Sequence, residues 1–381
     1  MAKRRVITNY SEFCAQPCSR RALLSYLVLP LLPPPAMRDR VLFSNHGIAQ
    51  EIPHALNELG FAVDIVNYDN TSWLPLREYD LFIGHAGINF ERISRRLEEV
   101  TPRIYFATGV YWRELNVQEA RRLYELALRR GYLLPPDRFV RHNEEYANQI
   151  ADGIICLGNQ EAAKTYAPFR NVIAINNATY PIHWTGLKAK DFSEGRKHFL
   201  FFSGRGSIHK GLDRLLEAFM GIDAHLYVCQ HMEPDFMRIY RHELTETPNI
   251  HLLGFMKMRS SEFERLAARC NWVILPTCAE GQPGSVIECM AYGLIPILPD
   301  AANIDLEDWG VRLPDADVGT IRSIVEQASQ MPAEECGRRV EGVITATRNA
   351  YSVDNFRVSF KAAVSTILTT RELIHPSTES Q

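Results

Sequence analysis

The sequence predicts an α/β fold made of two domains, each built on a parallel sheet. Three observations carry that expectation. Apolar runs of strand length alternate with stretches of helical periodicity, the pattern of βαβ units. The 381 residues exceed one domain of about 100 to 200 residues and suit two. The composition, 46% apolar and 23% charged, is that of a globular protein able to close its cores without disulfide or metal support.

In chain order, RALLSYLVL supplies the first core strand and a Pro-rich loop follows it. SNHGIAQEIPHALNELGFAVDIVNY then reads as a helix and a strand. Ile52, Ala55, Leu56 and Leu59 keep one helical face, Gly60 stands where a C-terminal cap belongs, and Pro53 is expected only near a first turn. The unbroken apolar run FAVDIV suits a strand covered on both faces. Further strands are expected at YDLFIGHAG, RIYFATG and GIICLG. Between them lies the helix QEARRLYELALRRGYLL, which sets Arg121, Arg122, Arg129 and Arg130 against Leu123, Leu126 and Ala127. The favoured reading is a surface helix covering its own sheet with a solvated arginine face; peripheral contact with an anionic membrane is the alternative.

The polar stretch TGLKAKDFSEGRK at 185–197 reads as a linker. A second alternating series follows, with strands at KHFLFFSG, AHLYVCQ, NIHLLGF, NWVILPT and LIPILPD and helices at 211–220 and about 284–292. The expected organisation is an N-terminal Rossmann-like domain over 1–190 and a C-terminal one over 191–350. Such a pair places a cleft between its domains, and open α/β sheets bind ligands at the carboxyl ends of their strands.

Charge and cysteine usage exclude several classes of function. The net charge is -3 and the longest basic run is Lys3, Arg4, Arg5, so a nucleic-acid partner is not expected. The eight cysteines lie mostly in apolar runs, which suits buried thiols in a reducing, cytoplasmic compartment. Cys14 and Cys18 read as incidental thiols, because CxxxC with no second cluster is a poor zinc signature. No apolar run reaches the ~20 residues of a membrane span. The best, ALLSYLVLPLL, is broken by Pro30, and the long leader containing Glu12 argues against a signal peptide.

Two segments carry chemistry. In FLFFSGRGSIHKGLDRLLEAFMG an apolar strand ends in a Gly-rich turn and opens a helix. Gly204 and Gly206 permit the turn, while Arg205 and Lys210 stand beside a helix N-terminus that favours an anion, so the turn reads as a phosphate site. It is neither a dinucleotide fingerprint, since His209 stands at the third glycine position, nor a P-loop. In NWVILPTCAEGQPGSVIECMAYGLIPILP, Glu280 lies in the loop after a strand and Glu288 inside the following helix, whose start at Gly284 and Ser285 offers free amides. Carboxylates so placed can hold sugar hydroxyls while the amides hold phosphate. Asp315-Ala316-Asp317 has the form of a metal-binding DxD, but Asp317 reads as a helix cap and no metal is expected.

The pair SGRGSIHKGLDRLLEAF and LPTCAEGQPGSVIECMAYGLIPI resembles the donor-binding half of retaining GT-B glycosyltransferases, the glycosyl transferases group 1 with their glutamate, seven residues, glutamate motif. NIHLLGFMKMRSSEFERLAARCNWVILPT is similar to that family's base-binding run. YSVDNFRVSFKAAVSTIL resembles its closing helix, which implies that 351–381 returns toward the first domain. The resemblance covers about 198–368, with ADGIICLGNQEAAKTYAPFRNVIAINNATYP familiar upstream. It implies a donor site at Gly204, Arg205, Lys210, Gly281, Gly284, Ser285, Val286 and Glu288. Arg205 and Lys210 would hold the diphosphate, Glu288 the ribose, and Glu280 the transferred sugar as the catalytic residue. It further implies metal-independent transfer with retention from a nucleotide-sugar donor, with no other cofactor, to a sugar, lipid-linked or other hydroxyl acceptor.

The first half departs from the family's pattern. Gly47 is the one candidate for its glycine near the donor, and Thr108 and Gly109 occupy the strand end where members often carry a histidine. His85 is the substitute on the acceptor side. The departures keep a second reading open, a nucleotide-sugar-binding partner or sensor that has lost the acceptor half. A third is another GT-B reaction, epimerisation or phosphorolysis.

Overall fold

The computed structural model describes residues 5–33, 45–85, 87–142 and 144–374. Of these, 5–111, 141–180 and 352–374 form one unit, and 112–140 with 181–351 form the other.

The first unit is built on a seven-stranded sheet of β1 (Val6–Tyr10), β2 (Arg20–Tyr26), β3 (Phe61–Asn67), β4 (Leu81–Gly84), β5 (Arg103–Ala107), β6 (Gly153–Leu157) and β7 (Val172–Ile175). Its order is β1-β3-β2-β4-β5-β6-β7. Every pairing is parallel except β1 on β3. All seven residues of β3 are buried, as its unbroken apolar run requires of a strand covered on both faces. Leu24, Ile65, Ile83 and Phe106 point to one face, where Phe360 and Ile367 of helix Val353–Ile374 cover them. Leu23, Phe82 and Tyr105 point to the other, against Phe90 and Tyr166. Gly153 admits the long helix: a Cβ there would stand 2.6 Å from Ile367. Arg357 to Glu51 at 2.7 Å and Arg371 to Asp152 at 3.1 Å fasten the same helix.

The second unit carries the all-parallel order β10-β9-β8-β11-β12-β13, with β8 His198–Phe202, β9 His225–Cys229, β10 Ile250–Leu252, β11 Trp272–Ile274, β12 Ile295–Leu298 and β13 Val311–Arg312. The chain leaves β8 toward β9 on one side and reaches β11 on the other. The strand order therefore reverses between β8 and β11, and a crevice opens at their carboxyl ends. Helices Leu212–Ala218 and Gly284–Ala291 start from that end, and each buries an apolar face on the core around Phe199, Phe201 and Ile274.

Two Rossmann-like sheets are as the sequence predicts, and five local expectations are corrected. Helix Asn45–Glu58 runs through Pro53 in its interior, where burial of Ile48, Ile52, Ala55 and Leu56 offsets the missing backbone donor. The stretch 185–197 is no linker: Trp184, Leu187 and Phe192 pack on the second core, and the units divide at 180. Helix Trp112–Arg130 packs in the second unit rather than on the sheet of its own half, so 112–140 leave the expected N-terminal domain. Nor is its arginine face solvated. Arg129 pairs with the buried Asp213, Arg130 with Glu243 at 2.5 Å, and Arg122 donates to the Pro276 carbonyl at 2.8 Å, while Arg121 alone of the four stays outward. Finally, Cys14 and Cys18 are joined as a disulfide rather than standing as incidental thiols; the other six cysteines are free and buried. No described helix is long and apolar enough to cross a membrane.

Candidate functional site

The loop 203–211 joins β8 to its helix at the point where the strand order reverses. Gly211 makes its close approach to β11 possible. With φ at 76° it sits against the Pro276 carbonyl, where a Cβ would collide. The loop places Gly204 and Arg205 at the surface and Lys210 in the interior. Arg205 makes no hydrogen bond or ion pair with any described residue, so its charge is uncompensated locally.

One expected feature of this loop is corrected. The Gly206 and Ser207 amides are not open to an anion, because the Glu233 carboxylate accepts from them at 2.9 and 3.4 Å and from Ser207 Oγ at 2.6 Å. The helix itself begins at Leu212 behind Gly211 and is only seven residues long. What the loop offers a ligand is the charge of Arg205 and Lys210 rather than a helix end.

The loop after β11 brings Glu280 to the same place. Its amide donates to the Ala301 carbonyl at 3.0 Å and its carbonyl accepts from Asn303 at 2.6 Å, so the backbone is held from both sides. The carboxylate pairs with the Lys210 ammonium and accepts from Thr277 at 2.9 Å. His209 Nε2 lies 3.5 Å from it and 2.6 Å from the Ala279 carbonyl. Burial alone would raise the pKa of Glu280, but Lys210 and His209 hold it well below the carboxylate range. Burial and the Arg138 charge lower that of Lys210, against the pull of Glu280. His209, despite burial, is held well above its ordinary value by Cys278, Glu119 and Glu280. Glu280 is thus a fixed anion, suited to accept sugar hydroxyls or to face positive charge and unsuited to donate a proton.

Gly281 is buried in the same loop, and Val286 in the helix beyond it. Gly284 and Ser285 open that helix part-exposed, with the unpaired amides of a first turn. Glu288, 2% exposed, stands inside it and pairs with Arg259 at 3.1 Å. Arg259 reaches there from the loop after β10 with its backbone in the left-handed region, φ 62°. The structure so gathers Lys210 and Glu280 in one ion pair, with Arg205 on the loop of the first and Glu288 on the helix that follows the second. Asp317 caps helix Val318–Ser329, accepting the Thr320 amide at 2.9 Å.

In the first unit the strand order reverses between β2 and β4, and His85 follows β4 there. Its Nδ1 lies 3.1 Å from the Phe106 carbonyl, and Tyr26 and Tyr68 meet its ring edge-on. Burial lowers its pKa, so the ring is neutral near pH 7. A neutral ring donates from Nδ1 to that carbonyl, which leaves Nε2 as an acceptor. Thr108 and Gly109 follow β5 directly, and Gly109 accepts from Tyr166 at 2.9 Å. Gly47 is buried in helix Asn45–Glu58, two residues from its described start. The Pro-rich loop itself lies, apart from residues 30–33, outside the described residues.

Sequence reasoning missed His209, Glu233, Arg259 and Glu119 at the donor-side site. No spacing announces them, since each acts across a contact between distant segments. It missed Glu144 as well, which accepts from Tyr105 at 2.9 Å and is pushed up to about 7 by burial.

Residues 186–304, the segment holding this site, match the family model Glycosyl transferases group 1. No curated protein sequence matches the chain. Among solved structures, the chain is similar to Anabaena HepE in complex with UDP and glucose, at 13% identity over 92% of this chain and 100% of that one, TM-score 0.57. It is similar to sucrose-phosphate synthase from Thermosynechococcus elongatus, at 14% identity over 93% and 99%, TM-score 0.61. It is similar also to WaaG, a glycosyltransferase involved in lipopolysaccharide biosynthesis, at 14% over 93% and 100%, TM-score 0.56. The fold is that of the GT-B class. Together the family match and the fold support a GT-B glycosyltransferase.

Proposed function

We propose that this protein transfers a sugar from a nucleotide-diphosphate-sugar donor to a hydroxyl acceptor, with retention of configuration and without a metal. The observation that carries the reading is the largely buried pair of Lys210 and Glu280 at the reversal of strand order, inside the segment that matches the family model. Arg205 and Lys210 neutralise the diphosphate as the sugar bond breaks, aided by the first amides of helix Gly284–Ala291. Glu288 holds the ribose hydroxyls, and Arg259 keeps its carboxylate aimed. Glu280, held ionised, orients the sugar and faces the positive charge that develops at its anomeric carbon. The departing phosphate takes the acceptor proton, so no enzyme nucleophile is needed. His85 Nε2, with Thr108 and Gly109 beside it, receives the acceptor hydroxyl in the first unit. The UDP and glucose bound by HepE motivate beginning with uridine donors.

The test is sugar transfer by the wild type and by Glu280→Ala and Lys210→Ala, with the product anomer read by NMR and chelator present. Loss of transfer in both folded variants, a retained anomer and indifference to chelator are expected. Transfer surviving both substitutions overturns the proposal. Nucleotide binding without transfer to any acceptor would favour a partner or sensor instead.

A further inference from the structure

Residues 112–140 precede the family-matched segment by many residues, yet they pack within the second unit. Where they pass the 203–211 loop, the contact is built from three directions. The Glu119 carboxylate, 2% exposed, accepts the amides of Asp137 at 2.9 Å and Arg138 at 2.8 Å. Burial and the neighbouring Glu233 raise the pKa of Asp137, and the Glu233 carboxylate itself grips the amides of Gly206 and Ser207. The Arg138 stem fills the space over Gly206: a Cβ there would stand 2.7 Å from Arg138 Cγ, and Gly206 is turned to φ 94° beneath it.

The guanidinium so positioned is exposed, makes no ion pair with any described residue, and its charge reaches Lys210. Glu119 holds the 137–138 amides and Glu233 the loop, while Asp137, set against Glu233, is the carboxylate that feels the Arg138 charge without forming an ion pair with it. Arg205, next to Gly206 in sequence, is likewise exposed and without a carboxylate partner. Two exposed guanidiniums that form no ion pair, at one loop and beside a lysine already paired with Glu280, offer hydrogen-bond donors and charge that suit a multiply charged anion.

We propose that Arg138 is a third cation for the donor diphosphate, delivered to the nucleotide site by the 112–140 segment. The proposal rests on the donor-site reading above and adds a binding residue to it. Arg138 meets the phosphates after Glu119, through the 137–138 amides, has set its position.

The experiment is titration of full-length wild type, Arg138→Ala and Arg138→Lys with UDP, GDP, ADP and TDP and with the four corresponding nucleosides. Unliganded unfolding midpoints are measured alongside. One diphosphate is expected to bind the wild type. Arg138→Ala then weakens it about tenfold, the scale of one lost charge-assisted hydrogen bond. Its nucleoside affinity and unfolding midpoint stay unchanged, and Arg138→Lys recovers part of the loss. Equal diphosphate affinity in wild type and Arg138→Ala overturns the proposal, as does an equal loss for diphosphate and nucleoside, which would mean the arginine only props the loop. Failure of the wild type to bind any diphosphate overturns the donor-site reading and this proposal with it.

Discussion

Lys210 and Glu280, 70 residues apart in sequence, form a largely buried ion pair that ties the loop after β8 to the loop after β11. Burying two opposite charges together is roughly neutral for stability, whereas burying one alone costs about 3–5 kcal/mol. Glu280→Gln and Lys210→Met are therefore each expected to lower unfolding stability by about that amount. The double substitution Lys210→Met with Glu280→Leu recovers most of it. Urea denaturation of the three variants checks this; additive losses in the double variant would show that the two side chains are not coupled.

Glu288 and Arg259 make the corresponding pair on the ribose side. If Glu288 holds ribose hydroxyls, a 2′,3′-dideoxy nucleotide should bind the wild type about tenfold or more weakly than its parent, the worth of a hydrogen bond to a charged group. Glu288→Ala should bind both alike. Calorimetric titration of the two nucleotides against both proteins is the check, and a discrimination that persists in Glu288→Ala removes the ribose from this site.

Gly211 and Gly204 lie in one loop with opposite requirements. Gly211→Ala is expected to destabilise by about 2–4 kcal/mol, since its left-handed backbone and the neighbouring Pro276 carbonyl both resist a methyl group. Gly204 has open space around it, and Gly204→Ala should fall within about 0.5 kcal/mol of wild type. Comparable denaturation midpoints for the two would contradict the loop geometry.

Glu144 gives the first unit a pH signature. Burial pushes its carboxyl from 4.5 up to about 7, so between those values the folded chain keeps a proton that the unfolded chain releases. Stability from this group accordingly falls as pH rises through that window and stays lower above it. Urea midpoints of wild type and Glu144→Gln between pH 5 and pH 8 should converge at the acid end and separate toward the alkaline end, with the variant the more stable there. A constant difference across the range would place the carboxyl at an ordinary pKa.

Much of the donor-side architecture is legible in the sequence, because a strand ending in Gly-rich residues and opening a helix is a local pattern. Gly204 to Lys210 and Glu280 to Glu288 fall where that pattern puts them. The pairings are not legible. Nothing local to Glu280 announces Lys210, and nothing in GFMKMR announces that Arg259 will meet Glu288. Periodicity identified the apolar face of the 112–130 helix but not the sheet it covers, so its arginines read as solvated although Asp213 and Glu243 await them in the second unit. Strand β1 was missed because VITNY lies at a sheet edge with most of its residues partly or fully exposed, and gives little apolar signal. Pro53 misled because a helix buried by neighbours tolerates a break that an isolated helix would not.

The measurement that tests the central claim most directly is thermal unfolding of the wild type and Arg205→Ala against UDP, GDP, ADP and TDP. Arg205 has no partner among the described residues, so its removal should leave the unliganded midpoint unchanged. A nucleotide at 100 times its dissociation constant stabilises a native state by about 2.7 kcal/mol. The account predicts that one nucleotide raises the wild-type midpoint and that Arg205→Ala loses most of the rise. A folded wild type indifferent to all four nucleotides, or an Arg205→Ala variant stabilised as fully as the wild type, would contradict it.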